Sequence, residues 1–332
     1  MRNFILLYSF VSFVIVILIS FPFLLNAQKS DDISAPFLLI APDARSGGIA
    51  DAGAATSPDT YSMNWNAAKY AFTSTTLGVG LSYTPYMKEL VQDRALIYLT
   101  GFYRIGKTET IASSIKYFSF GKNAFISETS EATGEFTPGA WAIDAAYIKK
   151  LSPDFSLSTT FRYIYSGIQA IDFHAGNENK SHGVAADLGA FYSRPVNGHL
   201  LSFGLQLSNF GPKMNYNGYE QSLPANLRLG FNYTLINASD INFSFISDVS
   251  KLMIKVPERD NGFSVSSGGE LMLREVLTLR GGYHYEKNSN YFTTGLGVNY
   301  KKLMLDVSYL LSAQDYLPFQ NTLRFGLAYG FK

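Results

Sequence analysis

The chain has 332 residues, of which 15% are aromatic and only 16% charged, and its formal net charge is +1 at pH 7. A charge this close to zero gives no electrostatic footprint for nucleic acid, so we exclude nucleic-acid binding. The sequence contains no cysteine, which excludes a lipoprotein, a disulfide scaffold and a thiolate metal site. The high Phe and Tyr content is unusual for a soluble protein and typical of a barrel with aromatic girdles.

The first predicted element is a signal peptide over residues 1–27. Arg2 precedes an apolar run from Phe4 to Leu25, and Ala27 provides a small residue at the expected cleavage point. The alternative is a transmembrane anchor, because a run of about 22 residues is long enough to cross a bilayer. Serine and proline residues that interrupt the run favour the signal peptide.

Residues 28–74 form the second predicted element, a hatch that folds inside or beneath a barrel. The density of Gly, Pro and Asp argues against a strand, and the content of small apolar residues is too high for a disordered tail. Its glycines are expected to adopt left-handed or tightly packed backbone, and its charged residues to pair with the barrel wall. The candidate hatch residues are Pro42, Asp43, Arg45, Gly47, Gly48, Asp51, Gly53, Asn64 and Asn66.

Residues 75–332 predict a fourteen-stranded antiparallel outer-membrane β-barrel. In the last segment Leu323, Phe325 and Leu327 share one parity while Arg324 and Gly326 share the other, so one strand face is apolar and the other polar. The predicted strands are 75–85, 93–103, 109–120, 139–150, 154–167, 182–194, 198–210, 222–235, 240–250, 262–273, 275–285, 290–300, 302–312 and 321–331. A soluble sandwich is the alternative, but strands of about ten residues suit a tilted membrane crossing better.

The connections between these segments also favour a membrane barrel. Long connections at 121–138, 168–181, 211–221 and 251–261 alternate with tight turns. The turns are predicted at Gly106-Lys107, Ser152-Pro153, Pro195-Val196, Asn237-Ala238 and Lys301. Short periplasmic turns and longer external loops are typical of outer-membrane barrels, and an even strand number predicts both termini in the periplasm.

Charged residues of both signs occupy the inward parity of the predicted strands. They form either a polar conduit or substrate-binding wall, or a salt-bridged lining that holds the hatch, and we favour the lining. A charge on the lipid face would cost about 2–4 kcal/mol at the midplane, which supports this register. The candidate lumen-lining residues are Arg162, Asp187, Arg228, Asp248, Glu270, Arg280, Asp306 and Arg324, with Lys116, Asp144 and His284 on the same parity.

The long connections carry more aromatic and methionine residues than solvated loops need. Such clusters are typical of protein interfaces, although they could also pack the loops on one another or belong to the outer girdle. The candidate partner-docking residues are Tyr86, Met87, Met214, Tyr216, Tyr219, Leu252, Met253, Ile254, Tyr316, Leu317 and Phe319.

We predict no cofactor, no metal site and no enzymatic activity. Residues 101–108 match the letters of a phosphate-binding loop, but bulky residues fill the motif and a strand follows it where a helix is required. The four histidines, at positions 174, 182, 199 and 284, lack metal-ligand spacing.

The residues of the predicted hatch carry a resemblance to a known family. The run at 41–48, the step Asp51-Ala52-Gly53 and the stretch 64–72 resemble the N-terminus of the PorV family, outer-membrane proteins of the Bacteroidetes type IX secretion system. That family is similar to the FadL group of fourteen-stranded transporters. Residues 268–271 and 277–283 of this chain also resemble the late strands of FadL-type barrels. One departure is Ala67, because the family usually has Asn-Pro-Ala where this chain has no proline.

The resemblance implies a function and partners. It implies a protein of the bacterial cell outer membrane, in contact with outer-membrane lipid, that binds the C-terminal signal domains of type IX cargo proteins. It would carry cargo from a very large translocon barrel of the SprA/Sov type to a cell-surface attachment complex that contains a PorU-type signal peptidase. The alternative is a FadL-like transporter of hydrophobic small molecules.

Overall fold

The computed structural model describes residues 33–86, 93–126, 132–167, 180–236, 240–254, 262–287, 289–312 and 321–331, and for 123–126 and 132–136 it describes the backbone only. The predicted signal peptide lies outside the described residues. In the parts of the chain that are described, no helix is long and apolar enough to cross a membrane.

The described strands form a closed antiparallel barrel of fourteen strands, as the sequence predicts. Neighbouring strands follow chain order, and β1 closes the barrel against β18. The barrel strands are β1 (Leu77–Pro85), β2 (Arg94–Ile105), β3 (Glu109–Phe120), β6 (Gly139–Ser152), β7 (Phe155–Gly167), β8 (Lys180–Val196), β9 (His199–Phe210), β12 (Asn226–Ile236), β13 (Ile241–Leu252), β14 (Phe263–Leu273), β15 (Leu277–Glu286), β16 (Tyr291–Tyr300), β17 (Leu303–Ser312) and β18 (Leu323–Phe331). Two hairpins stand outside the barrel, β4 (Asn123–Ile126) with β5 (Ala132–Phe136) and β10 (Met214–Tyr216) with β11 (Tyr219–Gln221).

Side-chain alternation explains why these segments form a barrel. In β18 the side chains of Leu323, Phe325 and Leu327 are exposed on the outside, whereas Arg324 is buried towards the lumen. The same alternation in the other strands produces an apolar outer face and an inner face that carries the charged and most of the polar side chains, which is the pattern of a barrel surrounded by lipid.

The two ends of the barrel differ in their connections. The short-turn end carries the connections 106–108, 153–154, 197–198, 237–240, 274–276 and 301–302, and the opposite, long-loop end carries most of the long ones. Two predicted turns are displaced. Ser152 belongs to β6 and pairs with Phe155. Pro195 and Val196 belong to β8, where the turn is Asn197-Gly198, with Val196 paired to His199. Both turn residues have positive φ, 52° and 82°, which a two-residue turn of this hand requires and which Asn-Gly adopts readily.

Candidate functional site

The N-terminal segment, residues 33–76, runs through the lumen from one end of the barrel to the other. Ile33 pairs with Ser222 at the long-loop end, and the Thr73 carbonyl accepts a hydrogen bond of 2.8 Å from Arg104 at the short-turn end. The prediction that both termini share one side holds for the start of β1 and the end of β18. The N-terminus itself lies outside the described residues, and the segment before β1 enters the described structure at the long-loop end and crosses the lumen to reach β1.

Two apolar clusters fill the lumen at different heights. The upper apolar cluster lies near the long-loop end, where Phe37 and Leu38 of the segment pack with Phe118 and Ile164 of the barrel and with Met214 of the β10–β11 hairpin. The lower apolar cluster lies near the short-turn end and joins segment residues to side chains of β2, β3 and β6; its members are Met63, Ala67, Tyr70, Ala71, Phe102, Ala112, Ala146 and Ile148. Between the two clusters lies a layer of buried charges.

Arg45 is the centre of that charged layer. It lies in a short helix, Ala44–Gly47, whose first turn is capped by Asp43 through a 2.8 Å hydrogen bond from the Ser46 amide. Its Nε and Nη2 donate to the two carboxylate oxygens of Glu270 at 3.1 and 3.0 Å, and its Nη1 donates to Asp59 Oδ2 at 2.8 Å. The bidentate geometry fixes both the position and the direction of the segment on β14.

The charges continue from Glu270 along the wall. Arg280 Nε donates to Glu270 at 2.7 Å, and Arg280 Nη1 donates to Asp306 at 2.7 Å. The side chains of these three residues and of Arg45 are no more than 6% exposed. A buried charge without a partner is costly, so each charge in this row of four side chains is stabilised by its neighbour.

Asp51 makes a second attachment to the wall. Its carboxylate accepts from Arg324 at 2.6 Å and from the Tyr291 hydroxyl at 2.7 Å. Burial raises the pKa of Asp51, but the Arg324 guanidinium and the Tyr291 hydroxyl outweigh burial, so its pKa lies below the ordinary value. The carboxylate is therefore charged at neutral pH.

Asp248 of β13 holds the backbone of the segment from the wall. Its Oδ2 accepts from the amides of Gly53 and Ala54 at 2.8 and 2.9 Å and lies 3.6 Å from Arg228 Nη1. The Arg228 guanidinium stands over the Trp65 ring at 4.8 Å. The wall thus recognises both main chain and side chains of the segment.

Asp43 and Lys69 are buried in the segment itself. Burial, with the nearby Asp59, raises the pKa of Asp43 to about 6, although Trp65 Nε1 donates to it at 2.5 Å. Burial lowers the pKa of Lys69 to about 8, and its ammonium donates to the Gly53 carbonyl at 2.7 Å and to Thr56 at 2.8 Å. Both shifts arise chiefly from loss of water contact.

A separate charge group belongs to the opposite wall. Arg162 donates to Asp144 at 2.7 and 3.0 Å and to Asp187 at 3.1 and 3.3 Å, and it also contacts Asn209. These groups come from the barrel and include no residue of the segment. Near them Lys116 Nζ donates to Asn64 of the segment at 2.7 Å.

The glycines of the segment serve close packing rather than left-handed backbone. The left-handed φ values near them belong to Ala50 (56°) and Asp51 (65°), which corrects that part of the sequence expectation. A Cβ on Gly53 would overlap the Trp65 ring, and one on Gly48 would lie 3.0 Å from the backbone of β16. Glycine is needed because segment and wall approach within backbone contact.

The remaining candidate hatch residues also contact the wall. The Pro42 carbonyl accepts from Ser82 at 2.6 Å. Asn66 donates to the Ala190 carbonyl at 2.9 Å and accepts from the Ala68 amide at 3.1 Å. Asn66 therefore caps the next 3-10 helix, Ala67–Phe72, where the family pattern has proline after the asparagine.

All eight predicted lumen-lining residues point into the barrel, seven of them buried and Arg228 partly so. Lys116, Asp144 and His284 point inward as well. Sequence reasoning missed several segment residues that complete the site, namely Asp59, Tyr61, Trp65 and Lys69. Tyr61 hydrogen-bonds to the carbonyls of Leu81 and Leu327 at 2.8 and 2.9 Å, across the β1–β18 junction.

The candidate docking residues divide into buried, partly buried and exposed groups. Tyr86, Met214 and Leu252 are buried, so they are unavailable to a partner, which corrects their assignment to a surface. Tyr216, Met253 and Ile254 are partly buried, and Tyr219 is 78% exposed. Met87, Tyr316, Leu317 and Phe319 lie outside the described residues. Within the described part of the chain, no group of three or more acidic or histidine residues could hold a metal ion.

Comparison with known proteins gives one family. The family model for the type IX secretion system protein PorV matches residues 25–259. No curated protein matches the sequence.

Solved structures share the architecture at low sequence identity. The Pseudomonas putida toluene transporter TodX has a TM-score of 0.55 and 11% identity over 90% of this chain and 98% of its own. The TodX deltaS2S3 mutant monoaromatic hydrocarbon channel has a TM-score of 0.57 and 10% identity, covering 87% and 97%. A Pseudomonas aeruginosa FadL homologue has a TM-score of 0.51 and 12% identity, covering 89% and 99%. These likenesses show the fold alone.

Proposed function

The chain belongs to the PorV family of type IX secretion system proteins of the outer membrane, and on that premise we propose that it binds cargo C-terminal signal domains at its external surface. It then carries them from a SprA/Sov-type translocon barrel to the attachment complex with its PorU-type signal peptidase. Proteins of this family and FadL-like barrels are transport or secretion proteins rather than enzymes, and the absence of enzymatic activity in this chain stays a prediction.

The observation that supports external binding is the occupied lumen. Phe37, Leu38 and Tyr70 of the N-terminal segment fill both apolar clusters, and Arg45 and Asp51 tie the segment to charged wall residues between them. A fourteen-stranded barrel is also too narrow for a folded domain. A cargo domain would therefore contact the outside, not the interior.

The hairpin β10–β11 is a candidate external platform. By the usual rule the short-turn end faces the periplasm, so this hairpin faces the cell exterior. Met214 at its base is fully buried, packed near Gly183 of β8, and anchors it to the barrel. Tyr219 projects from the hairpin with 78% of its surface exposed. An exposed aromatic on an anchored support is a suitable anchor residue for a protein interface.

Binding of a purified cargo C-terminal signal domain to the purified barrel tests this proposal. Tyr219→Glu should weaken binding by roughly tenfold, equivalent to about 1.4 kcal/mol. Tyr300→Glu is the matched control, because Tyr300 is also largely exposed (65%) but lies at the short-turn end. Absence of binding by the unmodified barrel contradicts the cargo function, whereas normal binding by the Tyr219 variant contradicts only the hairpin as docking surface.

Affinity purification of the barrel from solubilised outer membranes, followed by mass spectrometry, tests the wider partner set. Cargo proteins or a very large barrel in the eluate would support the shuttle. Recovery of the barrel alone with fatty acid would favour the alternative, a FadL-like transporter of hydrophobic small molecules. The described lumen gives that alternative little support, since its apolar clusters are filled by the chain itself.

A further inference from the structure

The outer face of the barrel carries a row of ring side chains near the long-loop end. Tyr117 of β3, Trp141 of β6, Tyr165 of β7 and His182 of β8 are direct cross-strand partners, one on each of four neighbouring strands. The Trp141 and Tyr165 rings are stacked, with centroids 5.5 Å apart and planes at 24°. This ring row joins residues that are far apart in sequence.

A cleft of about 350 Å³ lies along the ring row and is lined by Tyr117, Trp141 and Tyr165, with Gly139, Gly167 and Lys180. The two glycines keep it open. A Cβ on Gly139 would lie 3.1 Å from the Tyr117 ring, and one on Gly167 would lie 3.0 Å from the Tyr165 hydroxyl. Any larger residue at either position would narrow the cleft.

The cleft is separate from the lumen. Trp141 and Tyr165 point outward, whereas their neighbours Ala140 and Ile164 point inward and belong to the upper apolar cluster. The cleft therefore opens towards the membrane, and at the long-loop end the surrounding lipid layer is the outer leaflet of the outer membrane. Its occupant must come from that leaflet or from the medium above it.

The chemistry of the lining favours a sugar over a simple lipid headgroup. Flat rings accept the C–H face of a sugar ring, because the ring face carries negative potential. Beside the row, the Tyr163 hydroxyl and His182 Nδ1 are hydrogen-bonded to each other at 2.6 Å and form a polar edge. Lys180 adds a positive charge to the lining, which complements a phosphate. A phospholipid headgroup offers phosphate but no sugar face for the stacked rings.

We propose that this cleft binds the phosphorylated saccharide headgroup of an outer-leaflet glycolipid. The lipid's acyl chains would lie along the apolar outer face below the ring row, and its sugar would stack on Trp141 and Tyr165. The inference rests on the outer-membrane location and not on cargo binding. Its failure would leave the proposed secretion function untouched.

Isothermal titration of the purified, detergent-solubilised full-length protein with deacylated phosphorylated lipopolysaccharide oligosaccharide tests the site. Trp141→Ala removes the central ring, and Gly139→Leu fills the cleft without removing any ring. Each change should weaken binding by roughly tenfold or more, equivalent to at least about 1.4 kcal/mol. Phe292→Ala is the matched control, because Phe292 is an outward ring packed on Tyr283 at 4.7 Å, near the long-loop end of other strands.

The outcomes separate the possible ligands. The proposal is supported if the unmodified protein and Phe292→Ala bind the oligosaccharide saturably and both cleft variants do not. Absence of saturable binding, or equal binding by all variants, overturns it. Equal binding of inorganic phosphate or of a soluble phospholipid headgroup also overturns it, since the stacked rings would then have no role. Should one cleft variant fail to fold, the other still decides the question.

Discussion

Replacing Arg45 by Met should detach the N-terminal segment from the wall while leaving the barrel intact. Methionine keeps an unbranched side chain but removes the donors that hold Asp59 at 2.8 Å and Glu270 at 3.0 Å. Breaking a buried ion pair costs about 3–5 kcal/mol, because the remaining charge is buried without a partner. Glu270 keeps Arg280 at 2.7 Å, so most of the penalty falls on Asp59 and we expect about 3 kcal/mol.

Tryptophan fluorescence can report on the segment separately from the barrel. The chain has two tryptophans; Trp65 is buried in the segment, and Trp141 lies on the outer face. In a Trp141→Phe background, urea unfolding followed by Trp65 fluorescence measures the segment, and circular dichroism of the same samples measures the strands. Arg45→Met should lower the urea midpoint of the fluorescence transition and change the strand transition much less.

Two further variants make this prediction refutable. Arg194→Met removes a half-exposed pair with Asp154 at 3.9 Å and should cost no more than about 1 kcal/mol. Asp59→Asn combined with Arg45→Met removes the unpaired charge and should recover part of the loss, with a coupling of about 1–3 kcal/mol. If Arg45→Met behaves like Arg194→Met, or if both transitions shift together, the charged layer does not hold the segment.

The remaining predictions concern topology, pH and packing. The chain has no native cysteine, so a single introduced cysteine can be labelled specifically. Ile33→Cys should react with a bulky membrane-impermeant maleimide on intact cells, whereas Ser74→Cys should react only after the outer membrane is permeabilised. The reverse labelling would disprove the path of the segment. Burial raises the pKa of Asp43 from 3.8 to about 6, so the folded protein holds a proton that the unfolded chain releases, and stability should fall as pH rises from about 4 to 6. The urea midpoints at about pH 4 and about pH 6 should therefore differ less in Asp43→Asn than in the unmodified protein. An unchanged difference between the two midpoints would contradict the assignment. Gly204→Ala should destabilise the segment by about 1–3 kcal/mol, because the added Cβ would overlap the segment backbone at Ala54; the same urea unfolding measures this. Gly281→Ala is the control and should be neutral, because its Cβ would have nothing nearer than 3.9 Å. Equal effects of the two changes would argue against close packing at Gly204.

The barrel could be predicted because the pattern that identifies each strand lies within the residues of that strand. Alternation along a strand and the polarity of its two faces depend on residues two positions apart, so the sequence carries them directly. The largest difference in a strand start is at 222, where β12 begins at Asn226. There the chain first forms the β10–β11 hairpin, whose three-residue strands are too short to give a clear alternation.

The contacts of the site could be predicted only in part. Inward parity identified Glu270, Arg280 and Arg324 as wall residues, because parity is a local property. The segment partners of Glu270 and Arg324, which are Arg45 and Asp51, lie more than 200 residues away in sequence, and nothing local connects them. Asp59 and Lys69 were missed because single charges in a loop-like segment look the same whether they are solvated or buried.

The docking prediction was wrong for Tyr86, Met214 and Leu252 for a related reason. Sequence shows that a residue is apolar and lies in a connection, but not which surface of the connection it occupies. Met214 and Tyr219 belong to the same small hairpin, yet one is fully buried and the other is largely exposed. Their difference arises from the seating of the hairpin against β8, a contact between parts of the chain that share no local pattern.

The distribution of buried charges indicates how the segment is held. On the β14–β18 side, Glu270 and Arg324 have partners in the segment, so removing the segment would leave Glu270 with Arg280 alone and would take from Arg324 its partner Asp51. On the β6–β8 side, Arg162 is neutralised by Asp144 and Asp187 of the wall itself. The electrostatic attachment is therefore strong on one side of the lumen and weak on the other, where Asn66 and the lower apolar cluster provide the contacts. A segment held in this way favours a stable filling of the lumen, which supports the proposal that cargo binds at the external surface.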